Sequence, residues 1–226
     1  IRQLLSTNET LEQYIAKIKG VDTGRIRIAS FPSVATYWLP AIISRFQKDY
    51  PNVEIQIIEG GTDIIEGAME RREADLCLYA GGAGKHFEWL PLCADQMLAL
   101  VPPGHPLAEG AFVPLESFLA EPFIMPMQGY DGEVHDILSN LPQQPHILFS
   151  ACSDYAIISM VAKGLGVSIL ADLLLRNYPN DAVALPIQPP QFRMLGMGVP
   201  QVKTASPMTR NFMQYVQAYV ERMKQA

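Results

Sequence analysis

Residues 24–33 read Gly-Arg-Ile-Arg-Ile-Ala-Ser-Phe-Pro-Ser, and the stretch they open, down to Leu76-Cys77-Leu78-Tyr79, decides the fold. Arg25-Ile26-Arg27-Ile28-Ala29 alternates with period two, the pattern of a strand with one face in a core. Phe31-Pro32-Ser33 reads as a turn. A helix to about Tyr50 follows, with Leu39, Ile42, Ile43 and Phe46 on one face and Pro40 placed to start or kink it. Val53–Ile58 is a second strand and Gly60-Gly61 the turn after it. Thr62 suits an N-cap, with Asp63 in the first turn of a helix reaching about Glu73. Leu76–Tyr79 is apolar throughout, as a strand covered on both faces should be. Three strands separated by two helices make two βαβ units, hence a parallel, right-handed α/β sheet.

Downstream, Trp89–Cys93 and Gln96–Val101 read as two strands, and Pro102-Pro103-Gly104-His105-Pro106 as a rigid break and candidate boundary. A second strand–helix alternation follows: Phe123–Met127, a helix over Asp131–Leu138, Ile147–Ala151, a helix capped by Ser153 and ending at Gly164, Val167–Leu170, and a short helix from Asp172 to Arg176. Val183–Ile187 and Arg193–Val199 are further strands. Ser206-Pro207, an N-cap followed by proline, opens a closing helix to about Lys224 with a 3.6-residue stripe from Met208 to Met223. The last strand and helix are expected to return to the first α/β unit. The fold class is therefore α/β, two Rossmann-like lobes with a hinge, and a ligand is expected between them near strand C-termini and helix N-termini. Upstream, Leu4, Leu11 and Ile18 recur every seven residues with Tyr14 and Ile15 beside them, a coiled-coil-like helix over 1–20 that needs a partner outside its own sequence.

Length and composition narrow the function. The 226 residues allow one or two domains at about 150 residues each. With 49% hydrophobic and 18% charged residues the chain is globular, not disordered. Seventeen basic against 23 acidic residues leave a net charge of −6, a poor footing for neutralising phosphates, so these residues do not read as a DNA binder. Apolar runs fall far short of the ~20 residues of a membrane span. Residues 1–20 have neither the apolar core nor the small-residue cleavage site of a signal peptide. Cys77, Cys93 and Cys152 form no C-x-x-C and read as reduced, buried thiols of a cytoplasmic protein.

Several short motifs stand in a recognisable order: Gly24-Arg-Ile-Arg-Ile-Ala-Ser, Leu39-Pro40, Phe46 ahead of Tyr50-Pro51, Glu59-Gly60, Ala74-Asp75-Leu76, Gly104-His-Pro-Leu-Ala108, and Met160-Val-Ala-Lys-Gly-Leu-Gly-Val-Ser-Ile-Leu170. Together they resemble the effector-binding domain of a LysR-type transcriptional regulator, over residues 24–225. Ala171 stands where that family commonly has proline. The resemblance implies a periplasmic-binding-protein type 2-like fold: the end of a linker helix over 1–20, a first lobe over 24–101 plus 194–226, and a second over 105–190. It also implies a small-molecule effector, a homodimer (a tetramer in the full-length regulator), and DNA contact through a winged helix-turn-helix upstream of these residues. The helices at 39–50 and 207–224 and the linker helix are candidate dimer surfaces.

Ligand contacts are expected where three helices begin: after Ser30-Phe31-Pro32-Ser33, at Gly61-Thr62, and at Ser153-Asp154. Unpaired N–H groups and the positive end of the helix dipole favour an anion there. Ser33, Thr62 and Ser153 would equally serve as caps for their own helices. Met127, Gln128 and Tyr130, after the Phe123–Met127 strand, would form another wall, with Phe31, Met127 and Tyr130 offering apolar contact. Asp154 is an ordinary first-turn acid; facing a ligand it would repel an anion or pair with an amine. Cys152 beside it could sense oxidants, although no basic neighbour in sequence activates it. The four histidines lack metal-ligand spacing, no nucleophile–base motif is visible, and no cofactor is implied. An enzyme on this fold, or a periplasmic solute receptor of a transporter, are the competing readings.

Overall fold

The computed structural model describes residues 8, 11, 15, 23–81, 87–127, 132–176 and 178–225. Of the leading helix, Asn8, Leu11 and Ile15 are helical and exposed, while Leu4, Tyr14 and Ile18 lie outside the described residues. The rest divides into two compact units: unit 1, the residues up to Cys93 together with those from Met194 onward, and unit 2, Ala94–Arg193.

Unit 1 is built on β1 (Thr23–Ser30), β2 (Asn52–Glu59) and β3 (Leu76–Ala80). β2 and β3 both run parallel to β1, in the order β2–β1–β3. Between β1 and β2 the structure has two helices rather than one, α1 (Pro32–Tyr37) and α2 (Leu39–Asp49). Pro40 has no N–H to donate to Thr36, so the chain breaks at Trp38 and restarts. α3 spans Thr62–Glu70, ending short of Glu73 because Arg72 takes a left-handed turn (φ 56°). The closing helix α7 (Pro207–Gln225) is started by the Ser206 hydroxyl, which accepts the Thr209 N–H at 3.2 Å. Its inner stripe of Met208, Phe212, Val216 and Val220 is buried, and Phe212 meets Phe46 of α2 edge-on at 5.2 Å. Arg27 and Asp75 pin β1 to the turn before β3. Three hydrogen bonds of 2.8–3.2 Å reach the carboxylate, and the Asp75 N–H returns to the Arg27 carbonyl.

The strands expected over 89–93 and 96–101 form one continuous strand, β4 (Glu88–Val101). Likewise 183–187 and 193–199 are one strand, β9 (Val183–Val199). The chain therefore passes from unit 1 to unit 2 inside β4, upstream of the Pro102–Pro106 break, and returns inside β9. The proline run instead opens a 3-10 turn at Pro106, capped by His105, whose Nδ1 accepts the Leu107 N–H. In unit 1, Leu195–Gly198 of β9 pairs antiparallel with β3. A Cβ on Gly196 would sit 2.3 Å from the Trp89 ring, so only glycine admits that approach.

Unit 2 contains β5 (Val113–Pro114), β6 (Pro122–Pro126), β7 (His146–Ala151) and β8 (Ser168–Ala171), with α4 (Gly132–Leu138), α5 (Asp154–Ala162) and α6 (Asp172–Leu175). β6 and β7 are parallel, and β8 pairs antiparallel with β4. Alternate residues feed two cores. Met97, Ala99 and Val101 of β4 pack with Phe123, Ile137 and Ile169 on one side; Leu100 packs with Ile124, Ile157, Ile158 and Leu170 on the other. Gly166 (φ 157°) passes so close to Pro122 that a Cβ would lie 2.4 Å from its carbonyl oxygen. No helix among the described residues is long and apolar enough to cross a membrane.

Candidate functional site

In unit 1 the candidate residues collect at the carboxyl ends of two adjacent parallel strands, where open α/β sheets take their ligands. Ser30 ends β1 and is fully buried; its hydroxyl donates to the Phe31 carbonyl at 3.1 Å. The Phe31 N–H donates to Leu78 of β3 at 3.0 Å, and the Gly60 N–H donates to the Ser30 carbonyl at 3.2 Å. These bonds draw the turn after β1 and the turn after β2 together. Ser33 is buried in the first turn of α1. Gly61, not Thr62, is the N-cap of α3; Thr62 is its first helical residue, and no side chain caps the start. The extended backbone at Gly61 (ψ −179°) lets its carbonyl accept the Ile65 N–H, which moves the cap one residue upstream of the one expected.

Beneath this turn lies a pair that sequence reading missed. Phe31, itself buried, meets Tyr79 edge-on at 5.9 Å. The Tyr79 hydroxyl donates to Glu66 of α3 at 3.1 Å. Burial pushes the Tyr79 phenol well above its ordinary range, with the charges of Cys77 and Glu66 adding to the rise, so it stays a donor. Glu66 stands one helical turn after Thr62, a spacing that marks a shared face but does not reveal the tyrosine.

In unit 2, Met127 follows β6 and is exposed, whereas Met125 two residues earlier is in the core. The Met127 N–H donates to Ala151, and its sulfur lies 3.6 Å from the Cys152 thiol. Ser153 caps α5 as expected, accepting the Ala156 N–H at 3.4 Å. Asp154 follows, half-buried in the first turn. Burial pushes its carboxyl up to about 6; Arg193 opposes the rise and Glu133 of α4 adds to it. Gln128 and Tyr130 lie outside the described residues.

A second missed feature stands nearby. Asp95 of β4 and Arg193 of β9 form a buried ion pair, with Nε and an Nη 2.9 and 2.8 Å from one carboxylate oxygen. The other oxygen accepts the Leu173 N–H at 3.0 Å. Ninety-eight residues separate the partners, so no local pattern announces them.

The cysteines correct the sequence reading in part. None of the three is in a disulfide, but only Cys77 is buried, its thiol pushed up to about 12 by burial; Cys93 is half-buried and Cys152 exposed. No group of three acidic, cysteine or histidine side chains able to hold a metal occurs among the described residues.

Comparison with known proteins gives this geometry its setting. The chain is 28% identical over 218 residues to YvbU of Bacillus subtilis (strain 168), described as an uncharacterized HTH-type transcriptional regulator, covering 95% of this chain and 74% of that one. Its structure is similar to the effector binding domain of QuiR in complex with shikimate (TM-score 0.79, 19% identity, 88% of this chain and 98% of that one). It is also similar to the regulatory domain of CcmR from Synechocystis PCC6803 in complex with 2-PG (TM-score 0.81, 22% identity, the same coverage). The fold is that of these domains, the periplasmic-binding-protein type 2-like fold. The family description that matches residues 19–221 is the LysR substrate binding domain, and the chain belongs to that family of transcriptional-regulator domains.

Proposed function

We propose that this domain senses a small anionic metabolite with an apolar part, and that Ser30, Phe31, Ser33, Gly61 and Thr62 of unit 1 are its principal contacts. One observation carries the reading: the Gly60–Ser30 bond brings two strand-end turns together at the carboxyl edge of a parallel sheet. Hydroxyls, main-chain N–H groups and the start of the nine-residue α3 converge there with the Phe31 ring. Met127, Ser153 and Asp154 are the contacts proposed for unit 2, and Gln128 and Tyr130 belong to the same proposed set. Shikimate, bound by the QuiR domain, is a carboxylate of this general kind. Binding shifts the domain between states only by its differential affinity for them. In this role the chain carries out no catalytic step. It works in the cytoplasm as a homodimer, a tetramer in the full-length regulator, and DNA is reached through a winged helix-turn-helix upstream.

A thermal-shift panel of small carboxylates and small amines tests the ligand class. Carboxylates should raise Tm in a dose-dependent way, and Thr62→Ala should weaken the response. Stabilisation by amines alone would overturn the reading. Light scattering after size exclusion checks the dimer.

A further inference from the structure

We propose that unit 1 holds a binding site for a small inorganic oxyanion, phosphate or sulfate, in a polar cavity between the end of α3 and the start of α7. The cavity has a volume of about 70 Å³, and its polar lining is Arg72, Asp75, Gln201, Thr204, Ser206 and Thr209. A single water needs about 10–15 Å³, so there is room for a five-atom oxyanion. The cavity lies at the amino end of β3, whereas the turns proposed for the metabolite lie at the carboxyl ends of β1 and β2. The site therefore stands apart from that reading.

The charge in the cavity is positive and uncompensated. Asp75 is already matched, since three bonds from Arg27 end on its carboxylate. The Arg72 guanidinium has no hydrogen-bond or ion-pair partner among the described residues, whereas its neighbour Arg71 pairs with Glu73 at 3.1 Å. Arg72 is also out of place for its backbone. Its N–H donates to the Met69 carbonyl at 3.1 Å and the Glu73 N–H to the Ala68 carbonyl at 2.8 Å, the Schellman close of a helix. The left-handed residue of that motif, here Arg72 at φ 56°, is ordinarily glycine. The turn does not call for an arginine, and the cavity supplies the reason for one.

The remaining polar groups offer protons. Ser206 and Thr209 are buried, at 9% and 2% exposure, and their hydroxyls lie 2.9 Å apart. The Ser206 oxygen also accepts the Thr209 N–H. Two hydroxyl protons share one contact: whichever group donates, the other is left with a proton that has no acceptor among the described residues. A buried donor without an acceptor costs stability, and an oxyanion in the cavity would accept it. The Thr204 hydroxyl donates to Gln201 Oε1 at 3.3 Å, which leaves the Gln201 amide group to donate as well. A cation and several donors around a space of this size suit an anion with oxygens on every side.

The test is a nitrogen–proton NMR titration of the chain with sodium phosphate and, separately, sodium sulfate, with sodium chloride holding the ionic strength constant. In the parent, the Arg72 Nε–H and the Thr209 N–H should shift along saturable curves. Arg72→Gly gives the turn the residue that its φ favours, so in chloride alone it should melt no lower than the parent. The same variant should weaken the Thr209 response about tenfold. Arg71→Gln removes a neighbouring charge of the same sign but leaves the cavity lining intact, and its curve should match the parent's. Unsaturated, linear shifts in the parent would overturn the site, as would an Arg72→Gly curve that overlays the parent's. A loss in Arg71→Gln equal to that in Arg72→Gly would reduce the effect to surface charge. Saturable shifts confined to the Ser30 and Thr62 amides would assign the ion to the metabolite turns, and either result overturns the proposal.

Discussion

In unit 1 the turn carrying Ser30 and Phe31 is held by main-chain bonds to its neighbours, Phe31 N–H to Leu78 and Gly60 N–H to Ser30. In unit 2 the turn carrying Ser153 and Asp154 is held by its own cap, and burial holds the Asp154 carboxyl up while Arg193, far away in sequence, opposes the rise. The first arrangement rests on main-chain hydrogen bonds; the second contains a carboxyl that burial holds up at about 6. Two units with similar strand–helix alternation have placed different chemistry at corresponding strand ends. A fold supplies the positions and the side chains decide what each end can recognise.

The largest expected difference lies in how each unit's ion pair answers to losing a charge. Asp95→Asn takes the carboxylate of its ion pair away from the buried Arg193, and breaking such a pair costs about 3–5 kcal/mol. Asp75→Asn in unit 1 leaves Arg27, about a fifth exposed, better placed to find water. The loss of its charged hydrogen bonds should cost about 1.5–3 kcal/mol. Urea denaturation of both variants checks the order, read as a larger fall in midpoint for Asp95→Asn at equal slope. Equal falls would mean that burial does not separate the two pairs.

Asp154 gives the next largest effect. Its carboxyl is held up at about 6 in the folded chain against an ordinary 3.8. Between those values the folded state binds more protons than the unfolded one, so stability falls as pH rises from about 4 to about 6 and levels off above. Asp154→Asn removes the group, so the variant should lose this decline and gain on the parent as pH rises through that window. Unfolding midpoints at pH 4, 5, 6 and 7 test it; parallel curves for the two proteins would contradict the raised carboxyl. Thr62→Ala removes no ionisable group and should track the parent at every pH.

What could be read in advance follows the same division. The alternation in β1, the apolar run of β3, the Ser153 and Ser206 caps and the stripe of α7 all depend on residues within a few positions of one another. Local chemistry announced them. The turns that carry the unit 1 candidates were legible for the same reason, since Gly60-Gly61 and Phe31-Pro32-Ser33 are turn signals where they stand. Tyr79 with Glu66 and Asp95 with Arg193 were not, because their partners meet only through tertiary packing. The continuity of β4 through Ala94-Asp95 and of β9 through Gln188–Phe192 was also hidden. Aspartate and proline are depleted inside strands, and only the pairing partners on either side show that these two run on.

The smallest effect bears on the two helix starts. Ser153 and Thr62 look alike in sequence, each a hydroxyl followed by an aspartate at the head of a helix. They differ in the structure: the Ser153 oxygen accepts the Ala156 N–H, whereas Gly61 caps α3 and the Thr62 side chain does not. Ser153→Ala should therefore cost about 1 kcal/mol, and Thr62→Ala should stay within about 0.5 kcal/mol of the parent. If Thr62 is free of a structural duty, its hydroxyl is available to a ligand, and its alanine variant should lose carboxylate response at unchanged stability. Ser153→Ala should lose some of both. A Thr62→Ala variant as destabilised as Ser153→Ala would assign that hydroxyl to the helix after all and remove it from the proposed contacts.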